Sequence, residues 1–454
     1  MKNIENWLSE MVAFAWGLPM VLLLVGGGLY FVIHSRFLPY RNFGHAIRIV
    51  AGKYDNEEVT DGDVSHFQAL IIALSGTLGL GNIAGVAVAI TMGGPGAIFW
   101  MWVTAVVGIS TKFYTASLAV MYRGKDRSGK VQGGPMYVIR EGMGKNWLPL
   151  AWLFCIACIL GGLPLFQINQ LVQVLRDFVA IPSGITSTDA HFVFDLLMGI
   201  GLFILISWIV KGKLTRITSI TSKVVPIMVV GYFVMTLILL LMHYERVPET
   251  FMLIVVSAFN LDSAAGGVLG AVILIGVQRG AFSNEAGIGT ESMAHGAAKT
   301  NEPIREGFVA TLGPIVDTLI VCTCTALAIL VTDVWQTDFQ GVSLTAQAFE
   351  KVFPGFGSYL LVVVVFFLST STVLSFWYYG SKCSEFLFGD KFEKVYVGFY
   401  LILIILGAVA SLTAVISFLT FMYALMAIPT MISTLILAPK VKVAARKYIK
   451  NEMG

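Results

Sequence analysis

Apolar residues in this chain come in long runs. Eleven of them are long enough to cross a bilayer as helices: about 12–34, 67–90, 95–122, 147–178, 192–210, 217–243, 267–294, 307–332, 357–380, 395–414 and 417–438. Only a very short turn, marked by Ser417, separates the last two. The stretch 250–259 is too short to span and reads as an interfacial or re-entrant helix. The pattern predicts an all-α membrane protein with eleven transmembrane helices. Charge placement tests that count. The loops 35–66, 123–146, 211–223, 296–306 and 381–394 and the tail 439–454 hold 24 Lys and Arg, against Lys2, Arg246 and Lys351 on the other side. Lys and Arg gather on the cytoplasmic face. The N-terminus is therefore expected outside and the basic C-terminal tail in the cytoplasm, a multi-pass arrangement in the cell membrane.

The second run is interrupted. Between residues 76 and 85 four positions are Gly: Gly76, Gly79, Gly81 and Gly85. Each interior Gly weakens a helix by roughly 1 kcal/mol relative to Ala. A helix starting at His66 would have risen about 15 Å at this point, to the middle of a hydrocarbon core about 30 Å thick. A helix opened there, over 75–82, offers carbonyls at the end of one half and amides at the start of the next, a site for a cation and an anion side by side. Gly81 and Gly85 could equally form a close-packing face. A second Gly-rich interruption falls in the seventh run at Gly276–Gly280, with Gly287 and Gly289 beyond it. Runs two to six (67–243) and seven to eleven (267–438) make two sets of five, and an odd number per set turns the second upside down. Broken helices at corresponding positions of inverted halves point to a transporter site. Residues 1–66 carry an additional first helix and a cytoplasmic loop, 244–266 an extracellular connection, and 439–454 the tail.

Composition agrees with a polytopic membrane protein: 57% hydrophobic, 13% charged, mean hydropathy +0.81, where soluble domains carry about 25% charged residues. The net charge of +3 gives no reason to expect a nucleic-acid partner. Four of the five Cys lie in apolar runs and imply no disulfide framework. Polar residues inside the runs change the picture more. Gln167, Asn169 and Gln170 follow Pro164, and three amides in four residues suggest a wet cavity, with Gln170 favoured as a substrate contact. Ser369-Thr370-Ser371-Thr372 lies mid-span in run nine. Its hydroxyls can bond back to the preceding turn, or join carbonyls freed at 75–78 as a cage for a hard cation, which seeks oxygens. Arg279, Glu285 and Asp317 are intramembrane ionisable groups and so functional candidates; they can also pair with one another to gate or hold the structure. Glu291 and His295 are i, i+4, too few for a metal site.

Several stretches carry a resemblance: Gly79-Leu80-Gly81-Asn82-Ile83-Ala84-Gly85, Gly93-Gly94-Pro95-Gly96, Gln132-Gly133-Gly134-Pro135-Met136-Tyr137, Arg279-Gly280-Ala281-Phe282-Ser283-Asn284-Glu285-Ala286-Gly287 and Val316-Asp317-Thr318. In these the chain resembles the sodium:alanine (or glycine) symporters, the amino-acid carrier proteins. That resemblance implies a LeuT-like five-plus-five inverted repeat with one extra N-terminal helix. It implies a substrate carboxylate at the amides of Leu80 and Gly81, beside Gly79, and an ammonium at the carbonyls of Thr77 and Ile273. Gly276 would limit the side chain, and Asn82 would orient the substrate or brace the break. Sodium would take the carbonyls of Ser75, Leu78 and Leu368 and the hydroxyls of Ser371 and Thr372. The second sodium site of the leucine transporter needs a hydroxyl where this chain aligns Leu274, so a single sodium is expected.

The function implied is sodium-coupled symport of a small neutral amino acid, alanine or glycine, by alternating access, with no cofactor beyond the coupling ion. A proton-coupled carrier using Glu285 or Asp317 is the nearest alternative, and a channel lined by the Gly-rich breaks is a more distant one. Nothing in the chain matches a paired catalytic Asp, a His-Glu-x-x-His zinc motif or a Ser/His nucleophile, so an enzyme is not expected.

Overall fold

The first apolar run folds as two helices, α1 (Lys2–Ala15) and α2 (Leu18–His34), meeting at a bend of 52°. Gly17 is extended there and Pro19 opens the second helix. The Trp16 indole donates to the Thr420 carbonyl at 2.8 Å and pins the bend to the last helix. The computed structural model describes residues 2–54, 62–126, 129–211, 213–259, 267–389 and 392–452, with the side chains of 2–4, 213–222, 267–269 and 393 left aside. Part of the expected 244–266 connection, residues 260–266, lies outside the described residues.

The second run is divided as α3 (His66–Thr77) and α4 (Ala84–Gly93). α3 starts on a reciprocal cap. Ser65 Oγ accepts from the Gln68 amide at 3.2 Å, and Gln68 Oε1 accepts from the Ser65 amide at 3.0 Å. After it come α5 (Gly96–Met121), α6 (Lys145–Ala180), α7 (Phe192–Val210) and α8 (Lys213–Met242). The stretch too short to span is α9 (Arg246–Ala258), packed on α5. The seventh run gives α10 (Gly267–Asn284) and α11 (Glu291–Gly296). The remainder is α12 (Pro303–Val331), α13 (Val342–Val352), α14 (Gly357–Phe388), α15 (Glu393–Val409) and α16 (Leu412–Glu452).

Two boundaries move. The last two spans part at Ala410 and Ser411, where Ala410 is extended and Ser411 Oγ accepts from the Ala414 amide at 3.4 Å. Ser417 lies inside α16, and that helix runs on through the basic tail. The second interruption is not at Gly276–Gly280: α10 passes through it without a break and ends at Asn284. The chain opens at Glu285–Thr290, where Glu285, Gly287 and Gly289 take φ of +55°, +85° and +97°. Left-handed backbone suits Gly and ends a helix.

Gly276 and Gly280 do something else. A Cβ on Gly276 would overlap the Trp100 Cβ and the Ala97 carbonyl, and one on Gly280 would lie 3.0 Å from the Thr104 Cβ. They are the small-residue face on which α10 approaches α5.

Among the described residues, seven helices are long and apolar enough to cross a membrane, or eight with α1 and α2 as one bent span. The other three expected spans are the two divided ones and the 17-residue α15. The expected eleven is therefore reached only by counting interrupted and short helices as spans.

A methyl at Gly276 has no room, and overpacking costs about 1–3 kcal/mol. We expect Gly276→Ala to lower the thermal midpoint of the purified protein while leaving the ratio of alanine to glycine affinity unchanged. A changed ratio at an unchanged midpoint would return Gly276 to the pocket.

Candidate functional site

The break in the second run frees backbone groups because the helical ladder stops. The Gly79 amide bonds to the Thr77 carbonyl at 2.9 Å, so the Ser75 carbonyl has lost its usual partner four residues on. A hydroxyl from α14 takes its place. Thr372 Oγ1 lies 2.9 Å from the Ser75 carbonyl and 3.0 Å from the Leu368 carbonyl. Ser371 Oγ lies 2.9 Å from the same Leu368 carbonyl. Ser75 Oγ donates to the Ser371 carbonyl at 3.2 Å and accepts from Ser375 Oγ at 3.0 Å. Four of the five oxygens expected around a sodium ion thus converge where α3 ends against α14. The fifth, the Leu78 carbonyl, leaves the helix at ψ 78° and has no hydrogen-bond donor among the described residues. Gly79 seals this corner, since a Cβ there would overlap Thr372 Oγ1.

Beyond Leu78 the break is held by Asn82. Its Oδ1 accepts from the Gly79 amide and its own amide donates to the Gly79 carbonyl, each at 3.2 Å. The amides of Leu80 and Gly81 have no acceptor among the described residues. Phe282 packs beside Gly81. A Cβ on Gly81 would sit 3.7 Å from Phe282 Cδ1 and 3.6 Å from the Ser283 Cα, ordinary contact distances. The Phe282 ring stacks on Tyr423 at 5.0 Å and meets the edge of Phe166 at 5.3 Å. Thr77 Oγ1 only bonds back to the Leu74 carbonyl at 3.5 Å.

Asp317 belongs to this centre. Asn82 Nδ2 donates to its Oδ1 at 2.7 Å, and Ser283 Oγ and Thr318 Oγ1 donate to its Oδ2 at 2.7 Å each. It lies in a π-helical stretch of α12, Ile315–Cys322, a deformation frequent at functional sites. One carboxylate thereby ties the first break to α10 and α12.

Other expected contacts are elsewhere. Gln170 is consumed at the start of α13: Oε1 accepts from the Val342 amide at 2.8 Å, and Nε2 donates to Gln173 and Asn169 at 2.7 and 3.0 Å. Asn169 caps α15 through the Ala410 carbonyl at 2.7 Å. Of the three amides only Gln167 keeps a buried oxygen, Oε1, without a partner among the described residues. Ile273 and Gly276 sit within uninterrupted α10, whose carbonyls serve its own ladder, so neither offers a free carbonyl. Arg279, Glu285 and Asp317 do not pair with one another. Arg279 Nη2 donates to Thr420 Oγ1 at 2.9 Å and Gln278 Oε1 at 3.0 Å, its guanidinium lying 5.4 Å from the Phe282 ring centroid. Glu285 accepts from the hydroxyls of Thr290 and, at 3.5 Å, Tyr423.

The sequence reading missed a cluster at the basic end. Buried Glu306 on α12 meets His66 Nδ1 through one oxygen and His295 Nδ1, at 2.7 Å, through the other. It joins the start of α3 to α11. The available signal was an acidic residue at the head of an apolar run, with histidines at the ends of both broken helices.

Two apolar runs each interrupted by irregular backbone, with the last turn of α10 meeting the first break through Asn82 and Ser283 in a mostly helical bundle, fit the architecture of a membrane transporter. The chain belongs to the sodium:alanine symporter family, which it matches over residues 1–453. The sodium/alanine symporter AgcS of Methanococcus maripaludis is 38% identical over 442 residues, covering 96% of this chain and 95% of that protein. A putative sodium/proton-dependent alanine carrier of Bacillus subtilis, YrbD, is 34% identical over 409 residues, 86% and 80% of the two chains. The crystal structure of MhsT in complex with L-phenylalanine aligns at a TM-score of 0.59 over 85% of this chain and 98% of that one; at 12% identity it shows the shared LeuT-like fold alone.

The two Gly at the break separate by their surroundings. We expect Gly81→Ala to fold like the parent, because its methyl meets only ordinary contacts, yet to lower alanine affinity about tenfold by crowding whatever binds the free amides. Gly79→Ala should instead displace the Thr372 hydroxyl and raise the sodium concentration giving half-maximal thermal stabilisation. Equal losses of folded yield in both variants, by detergent chromatography, would reduce both Gly to structure.

Proposed function

We propose that the protein couples the inward movement of sodium to uptake of a small neutral amino acid, alanine or glycine, across the cell membrane. The observation that carries this reading is the meeting of Thr372 Oγ1 with the carbonyls of Ser75 and Leu368 at the end of α3. A monovalent cation losing its hydration needs such a set of oxygens, and this one spans two elements. Sodium held by Ser75, Leu78, Leu368, Ser371 and Thr372 would tie the first broken helix to α14. The substrate carboxylate would take the amides of Leu80 and Gly81, and the Thr77 carbonyl remains the candidate for its ammonium. The nearness of Phe282 to Gly81 favours a short side chain. Coupling between two such sites is typically 1–3 kcal/mol, and an inside-negative potential adds about 2.3 kcal/mol per charge per 100 mV.

This reading takes the eleven segments, interrupted ones included, as spans in two inverted sets of five after α1–α2. The N-terminus lies outside and the basic tail in the cytoplasm, as the Lys and Arg distribution supports.

Removing the Thr372 hydroxyl deprives a cation of one oxygen, worth about 1.5–3 kcal/mol for bonds to charged groups. Thr372→Ala should therefore raise the sodium concentration for half-maximal uptake by roughly 10- to 100-fold, with uptake recovering at high sodium. Ser371→Ala/Thr372→Ala should abolish sodium stimulation. Unchanged sodium dependence in the folded double variant would move the ion elsewhere.

A second reading rests on Asp317, a buried carboxylate held by three neutral side chains and no ion pair among the described residues. A proton carried there would replace or accompany sodium. Under that reading Asp317→Asn uncouples uptake from pH while keeping sodium dependence, measured as sodium titrations of proteoliposome uptake at several fixed pH values. Under the sodium reading alone, Asp317→Asn disturbs the break and lowers alanine affinity equally at every pH.

A further inference from the structure

A cavity of about 750 Å³ opens between α7, α14 and α15, away from both breaks. Its polar rim is made of four lysines, Lys130, Lys211, Lys382 and Lys394. All four lie at one end of the bundle, in the segments that hold most of the Lys and Arg of the chain. Lys211 follows the last residue of α7, Lys394 stands at the start of α15, and Lys382 is near the end of α14. The apolar wall lies deeper along the same helices. Val397 and Leu401 are one and two turns into α15 from Lys394, Phe203 is two turns up α7 from Lys211, and Trp377 is five residues before Lys382.

The charges are unevenly used. Lys382 pairs with Glu385 at 3.0 Å and Lys130 with Asp63 at 2.8 Å. Lys211 and Lys394 are exposed and make no ion pair among the described residues. Two polar atoms in the lining are also unsatisfied: the indole N–H of Trp377, a residue only 6% exposed, and Ser207 Oγ have no hydrogen-bond partner among the described residues. Free cations at the ends of helices, above an apolar slot that continues into the span, match an anionic headgroup with its acyl chain. Basic pockets between transmembrane helices on the cytoplasmic side recognise such lipids.

We propose that this cavity seats one anionic phospholipid, its phosphate between Lys211 and Lys394 and an acyl chain along Phe203, Trp377, Val397 and Leu401. The lipid braces α14 against α7 and α15, five to eleven residues along α14 from Thr372 and Ser371. It therefore bears on the helix that supplies two of the proposed sodium ligands, although the lipid site stands whether or not sodium binds there.

The test uses the full-length protein in neutral detergent, with dioleoylphosphatidylglycerol or dioleoylphosphatidylcholine added, followed by native mass spectrometry and thermal unfolding. The parent should retain phosphatidylglycerol over phosphatidylcholine by roughly 30-fold, the contribution of two lysines near an anionic group. Lys211→Gln/Lys394→Gln should remove that preference while eluting as the same monodisperse species. Should the double variant fail to fold, each single Gln variant should lose part of the preference. Leu401→Trp, which fills the slot, should weaken retention of both lipids. Equal retention of the two lipids by the parent, or an undiminished preference in the lysine variants, would overturn the proposal. So would a thermal shift reproduced by inorganic phosphate without lipid, since the site would then read a free anion.

Discussion

The structure depends on one constraint: backbone polar groups inside a membrane must find partners within the protein or at a ligand. Residues 78–83 breach the helical ladder where burial leaves water no access, and the surrounding helices answer group by group. Thr372 reaches the Ser75 carbonyl, Asn82 takes the Gly79 amide, Thr325 Oγ1 donates to the Asn82 carbonyl at 2.8 Å, and Thr345 Oγ1 reaches the Ile83 carbonyl at 3.3 Å. Side chains from α12, α13 and α14 thus converge on residues 75–83. Among the groups they leave over are the amides of Leu80 and Gly81 and the Leu78 carbonyl, the ones that the proposed reading assigns to a zwitterion and a cation.

The same constraint explains what could be read from the sequence. The first break was legible because four Gly crowd into ten residues of one apolar run; Gly79 and Gly81 fall in the break, and Gly76 and Gly85 in the helices on either side. Ser371 and Thr372 stood out as adjacent hydroxyls at mid-span; both bond back to the Leu368 carbonyl, and Thr372 also reaches Ser75. The second break was misplaced by the same logic. Gly276 and Gly280 are spaced four apart on one helix face and serve the approach to α5, whereas Gly287 and Gly289, two apart and flanked by polar residues, take left-handed backbone and open the chain. Spacing separates the two uses: a packing face repeats at a helical turn, and a break does not.

Gln170 failed for a different reason. An amide in an apolar run needs partners, but nothing in the run says whether they are a substrate or another chain end. Here the partner is the Val342 amide at the start of α13, one of the orphan donors that every helix presents. The intramembrane ionic groups follow the same rule. Glu285 and Asp317 are met by hydroxyls and an amide rather than by Arg279, which bonds through Nη2 alone and keeps Nε and Nη1 without a partner among the described residues; only three-dimensional packing brings the neutral partners to them.

The bonds also fall into two sets. Glu306 joins the start of α3 to α11 at the basic end through His66 and His295, and Asp317 joins the first break to α10 through Asn82 and Ser283. These contacts hold the two broken helices to each other. The contacts of Ser75 with Ser371, Thr372 and Ser375 are of another kind, because they hold a broken helix to α14, which lies outside the broken pair and packs also on α6, α8, α13 and α15. They are neutral hydrogen bonds, each worth about 1 kcal/mol net, and so can be made and broken at modest cost. An ion placed among those oxygens would strengthen this joint and leave the internal ties of the broken pair untouched. An ion site serves coupling best at such a joint: its occupancy then shifts the balance between two arrangements of the bundle by its differential affinity for them, without having to distort either part.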